Sequence, residues 1–107
     1  MGDGQDFKKR ADGALTLLSR ELAGAADDYG YRSSFSGGII HIECGSGKVS
    51  ISANPATEQI LVQAPGKSYK LDWDIVEAAF VYAESGQSLR EVVEQTLSKQ
   101  LRQDVTL

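Results

Sequence analysis

"FVYAESGQSLREVVEQTL", residues 80–97, holds two structural periods side by side. Phe80, Val81 and Tyr82 are the β-branched and aromatic types that suit a pleated strand, whereas Leu89, Val92, Val93 and Leu97 recur at i, i+3, i+4 and i+8, the helical period. Between them, Ser88 is placed to accept from the backbone N–H three residues on, while Glu91 reaches back to the amide of Ser88. This capping box sets the helix start. The chain therefore ends as strand, short loop and amphipathic helix.

Working back towards the N-terminus, the period is two from Tyr31 to Tyr82, with turn residues every few positions. "YRSSF", "IIHIE", "KVSISA", "QILVQA", "SYKLDW" and "FVYA" read as six strands. Between them stand Ser36-Gly37-Gly38, Gly45-Ser46-Gly47, Asn54-Pro55-Ala56-Thr57, Pro65-Gly66-Lys67 and the less turn-like "DIVEAA". Connections this short join antiparallel neighbours, because a parallel crossover needs about a dozen residues or more. The alternation assigns Ile40, Ile42, Val49, Ile51, Ile60, Val62, Leu71 and Trp73 to a covered face. It turns His41, Ser50, Ser52, Leu61, Gln63 and Asp72 outward.

Ahead of the strands, "DFKKRADGALTLLSRELAGAA" carries Phe7, Ala11, Ala14, Leu15, Leu18 and Leu22 on one stripe, with Lys8, Lys9, Asp12, Thr16 and Ser19 away from it. This predicts a helix over about 5–25, ending near Gly24 and the following "DDYG". Two such helices have enough apolar stripe to cover one side of the sheet. The expected fold is an α+β two-layer sandwich in one domain, residues 1–107, with the N- and C-terminal helices on one face of an approximately six-stranded antiparallel sheet.

The composition narrows the function. Eleven Lys plus Arg against fifteen Asp plus Glu give a net charge of −4, which disfavours nucleic acid, since polyanion binding draws on cationic side chains. A single cysteine, Cys44, cannot form an internal disulfide. The start "MGDGQDFKKR" lacks an apolar signal core, and no apolar run approaches the ~20 residues of a membrane span, so a soluble, unanchored protein is expected. The one histidine, His41, lies between two isoleucines in a strand, a poor setting for a triad with Cys44 or a serine. "CGSGK" lacks phosphate-loop spacing and reads as a hairpin turn, as does "SGG" at 36–38.

Two features could carry function. Asp6, Asp12, Glu21, Asp27 and Asp28 supply hard oxygen ligands suited to weak, exchangeable binding of a divalent cation such as ferrous iron, although acids near a helix N-terminus also serve the macrodipole. The outward sheet face, with Ser52, Asn54, Gln59, Leu61 and Gln63, would form a mixed polar and apolar surface on which a partner could dock, against the default of a plainly solvated face.

The order helix, antiparallel meander, helix resembles the frataxin family, including its bacterial iron-donor members, over nearly the whole chain. "DFKKRADGAL" is similar to the family's opening helix, "SGGIIHIE" to its small-residue turn and following strand, and "VSISANPATEQILVQAP" to the segment with an Asn, a Gln and a Pro. "DW" followed by "FVYAESGQSLREVV" is similar to the family's Asp-Trp strand, Trp-Val-Tyr-like strand, Gly-containing loop and closing helix. The resemblance implies a small protein of iron–sulfur cluster assembly, most simply a monomer, that docks on the cysteine desulfurase and scaffold protein and binds ferrous iron weakly. It implies an acidic ridge at Asp6, Asp12, Asp27 and Asp28, and docking through Asn54, Gln59 and Trp73, on or beside the sheet. It also leaves open an iron-independent docking module and a ferroxidase. The setting would be cytoplasmic in a bacterium or the mitochondrial matrix for a trimmed eukaryotic protein. The chain departs from the family pattern at Leu61, where a Trp is usual, and at Ser19, Arg20, Ala23, Gly24, Arg32 and Ser34, where acids are usual.

Overall fold

The computed structural model describes residues 3–44 and 47–107, with side chains from residue 7 onward. Helix α1 runs Asp3–Tyr29. Seven strands follow: β1 Arg32–Ser36, β2 Ile39–Cys44, β3 Gly47–Asn54, β4 Gln59–Ala64, β5 Lys67–Asp74, β6 Ala79–Tyr82 and β7 Gln87–Ser88. Helix α2, Leu89–Leu101, closes the order. The sheet is an antiparallel meander whose spatial order is its sequence order, β1 to β7.

The expected six strands are present, and β7 is added to them. Gly86, at φ 75°, reverses the chain so that Gln87 and Ser88 pair with Tyr82 and Val81. Helix α1 is longer than its pattern predicts. Gly24 is exposed and has open space around it, so it does not interrupt the helix. The stop is Gly30, at φ 76°, whose N–H donates to the carbonyl of Ala26 at 2.8 Å while Tyr31 N–H reaches the same carbonyl at 3.3 Å. Helix α2 begins at the capping box: Ser88 Oγ accepts from Glu91 N–H, and Glu91 Oε1 accepts from Ser88 N–H at 3.0 Å.

The hairpins use turn chemistry that is legible residue by residue. Ser36-Gly37-Gly38-Ile39 has both glycines at positive φ, the two-residue hairpin turn that matches strand twist. The β3–β4 and β5–β6 loops share another design. Asn54 Oδ1 accepts from Ala56 N–H and Asp74 Oδ1 from Val76 N–H, while Glu58 and Ala78 take the left-handed position before the return strand. "DIVEAA" is thus a tight turn, and Ile75 and Val76 stand 81% and 87% exposed at its tip. The turn residues Gly45 and Ser46 lie outside the described residues; the flanking Cys44 and Gly47 are paired as a hairpin requires.

Both helices lie on one side of the sheet. Ile40, Ile42, Val49, Ile51, Ile60, Val62 and Leu71 are completely buried beneath Phe7, Ala11, Leu15, Leu18 and Leu22 of α1 and Leu89, Val92, Val93 and Leu97 of α2. Phe7 meets Phe80 edge to face at 6.0 Å, which ties the start of α1 to β6. Tyr31 is buried and donates its hydroxyl to the carbonyl of Leu22, joining the first strand to the helix above it. The chain after α2 folds back: Val105 is buried, Gln103 donates to the Tyr29 carbonyl at 2.9 Å, and Thr106 N–H donates to Tyr29 Oη at 3.0 Å.

Candidate functional site

The side of the sheet opposite the helices is formed by alternate residues that cross-strand pairing brings into rows. One row reads Ser34, His41, Ser50, Gln63, Ser68; the next reads Ser36, Ile39, Ser52, Leu61, Lys70; a third reads Asn54, Gln59, Asp72, Val81. Leu61 therefore sits on the central strand of seven, between Ser52 and Lys70. Ser52 flanks it towards β1, and the same face carries Arg32, Glu43 and Lys48 in a further row and Lys70 and Asp72 on β5, so a partner would meet a small apolar centre within a polar and charged surround.

Gln59 donates through Nε2 to Asp72 Oδ1 at 3.0 Å, and Ser50 Oγ donates to Gln63 Oε1 at 3.5 Å. These links hold the amides flat along the sheet. Four of the expected docking residues, Ser52, Asn54, Gln59 and Leu61, share this face and are half-buried. Trp73 is not with them. It has the parity of Leu71, packs edge to face on Phe80 at 5.2 Å and lies under the Arg10 guanidinium at 4.8 Å, on the helix side. Ile39 and Lys70 belong to the outer face and are not singled out by the sequence reading. Only the register across β2, β3, β4 and β5 aligns them with Leu61.

The acids whose side chains are described do not converge. Asp12 lies fifteen positions before Asp27 on α1, a separation of about 22 Å along the axis at 1.5 Å per residue. Asp27 and Asp28 are exposed at the far end of the helix. Glu21 is engaged in an ion pair with Arg90 of α2. The side chain of Asp6 lies outside the described residues. Among the described residues, no three His, Cys, Asp or Glu side chains form a group that could hold a metal ion.

His41 and Cys44 belong to opposite faces of β2, since His41 is exposed and Cys44 is buried with Ile40 and Ile42. Burial pushes the Cys44 thiol up, away from the reactive thiolate. Tyr31 is likewise raised, to about 12, chiefly by burial and then by the neighbouring Cys44, Tyr29 and Asp28. Tyr82 is raised by the hydrogen bond it donates to Glu84. None of these groups is poised for acid–base work near neutrality.

Residues 2–103 match the model of the frataxin-like domain. The chain belongs to the frataxin-like family. No curated protein matches it closely enough to count. Among solved structures, the frataxin of Psychromonas ingrahamii, described as a model to study stability modulation within the CyaY protein family, is similar with a TM-score of 0.75. It shares 15% identity, with 96% of this chain and 95% of that one covered. That likeness establishes a shared frataxin fold. Frataxin-like membership connects the protein with iron–sulfur chemistry in general terms. Among the described residues, no helix is long and apolar enough to cross a membrane.

Proposed function

We propose that this frataxin-like protein regulates iron–sulfur cluster assembly by docking its uncovered sheet face on the cysteine desulfurase and scaffold complex. The observation that carries the reading is Leu61, a half-buried leucine at the centre of a polar face with both helices on the other side. A central apolar anchor within a ring of polar contacts is the arrangement in which one side chain carries much of an interface's energy. The family places a Trp at this position, and the leucine supplies a smaller apolar anchor. The setting that goes with this reading is the cytoplasm of a bacterium.

The test is binding of the purified protein to a desulfurase–scaffold complex. Leu61→Asp is expected to weaken binding at least about tenfold and Gln59→Ala less, both with unchanged thermal unfolding. Binding of both variants at the wild-type level would overturn the assignment of this face.

In the same reading, ferrous iron is cargo rather than a resident cofactor. Asp12 in the first half of α1 and the Asp27–Asp28 pair at its end form separate, weak, carboxylate sites, with Asp6 nearly two turns before Asp12. Anaerobic addition of ferrous iron should broaden the amide resonances at these two ends independently. Asp12→Asn should remove one set and leave the other, and broadening that ignores the substitution would reject the site. No observation favours the ferroxidase alternative.

A further inference from the structure

The helix side of the molecule has its own concavity. A cleft of about 480 Å³ opens between α1, the start of α2 and the β5–β6 hairpin. This is the size range of small-molecule sites. Its floor is apolar, built from Ala14, Leu18, Trp73, Phe80 and Leu89, and Leu17 stands 60% exposed beside it.

The polar groups around that floor are almost all donors. Lys9 and Arg10 come from α1 and Arg90 from the first turn of α2. Among the described side chains, Glu21 is the one carboxylate on the cleft, and Arg90 already holds it. Among the described residues, the indole Nε1–H of Trp73 is buried and has no acceptor. Leaving such a group unsatisfied costs about 1–3 kcal/mol, so a ligand acceptor that reached it beside the cleft would relieve that cost. This concentration of positive charge occurs in a chain of net charge −4, so the overall charge does not explain it.

We propose that this cleft binds a small amphipathic carboxylate, its apolar body on Leu17, Leu18 and Trp73 and its carboxylate between Arg10, Lys9 and the indole N–H. Arg10 is exposed and its guanidinium lies over the Trp73 ring, where it can pair with a carboxylate seated beside the indole. The cleft and the outer sheet face lie on opposite sides of the sheet, and neither proposal depends on the other.

Trp73 is the only tryptophan in the chain, so its fluorescence reports on the cleft alone. The experiment titrates octanoate, octylammonium and octanol in parallel, with amide shifts of the labelled protein recorded alongside. Octanoate is expected to give a saturable change in Trp73 emission, with shifts confined to residues 9–21, 73, 78–80 and 88–90. Octylammonium and octanol should bind at least about fivefold more weakly, and Arg10→Ala should weaken octanoate to a similar degree while Arg10→Lys recovers part of the loss. Because Arg10 and Leu17 are exposed, these variants and Leu17→Glu should fold normally, and Leu17→Glu should abolish the response. No saturable change up to about 10 mM octanoate, equal binding of octylammonium, or shifts centred on the Leu61 face would overturn the proposal.

Discussion

The two faces of the sheet are made by the same strands and differ in every physical respect. On the helix side, alternate residues are large aliphatics with no exposure, and each side chain's position is set by its neighbours' packing. On the other side, serines, glutamines, charged residues such as Lys70 and Asp72, and a few apolar side chains, Ile39, Leu61 and Val81, face outward, with two side-chain hydrogen bonds across strands to order them. The first face answers to stability and the second is free to answer to a partner. That division of labour is what allows Leu61 to stand where a core residue would be wasted.

The strongest way to break this comparison is to truncate the covered face. Phe80→Ala removes a 2% exposed ring that meets both Phe7 and Trp73, and should cost about 3–5 kcal/mol by urea unfolding. A loss below 1 kcal/mol would mean that the helix side is not the tightly packed layer described.

A smaller effect probes a polar group on that same side. The Tyr31 phenol ionises near 10 in the unfolded chain and only at about 12 in the folded protein. Above pH 10 the unfolded state therefore loses this proton first, and stability falls as pH rises through this window, by about 2–3 kcal/mol. Below pH 10 the contribution is constant. Tyr31→Phe should flatten this part of the stability profile, at the cost of the bond to the Leu22 carbonyl, and an unchanged slope would show that another group is responsible.

The smallest expected effect is the most informative about function. Leu61→Ala on the outer face should change unfolding free energy by less than about 1 kcal/mol, since its side chain is only partly buried and can be replaced without leaving a cavity. A cost as large as that of Phe80→Ala would erase the distinction between the faces.

The covered set Ile40, Ile42, Val49, Ile51, Ile60, Val62 and Leu71 was legible because alternation is a property of neighbouring residues, and a strand exposes it directly. The capping box at Ser88 and Glu91 was legible for the same reason. The end of α1 was not: Gly24 looks like a stop by residue type, but only the left-handed φ of Gly30 ends the helix. Strand β7 is too short to show a period and exists through its pairing with β6.

The candidate site was legible in part. Ser52, Asn54, Gln59 and Leu61 share one face because they keep a common parity across a single hairpin. Trp73 was assigned to docking through family likeness although its own alternation with Leu71 points inward, and the structure follows the alternation. The five acids were grouped by chemistry, and helix geometry sets Asp12 far from Asp27 and Asp28 along α1 while Glu21 pairs with Arg90.

By itself, the sequence determined the order of elements, the antiparallel meander and the identity of the residues that must be hidden, because short-range periodicity, caps and turns act between residues close along the chain. Tertiary structure alone decided that Leu61 stands at the centre of a bare face, that Glu21 is held by Arg90, and that Arg10 covers Trp73 beside an apolar cleft. Those relations join residues far apart in sequence. They arise when the helices settle on the sheet at one register, and no local pattern encodes that register.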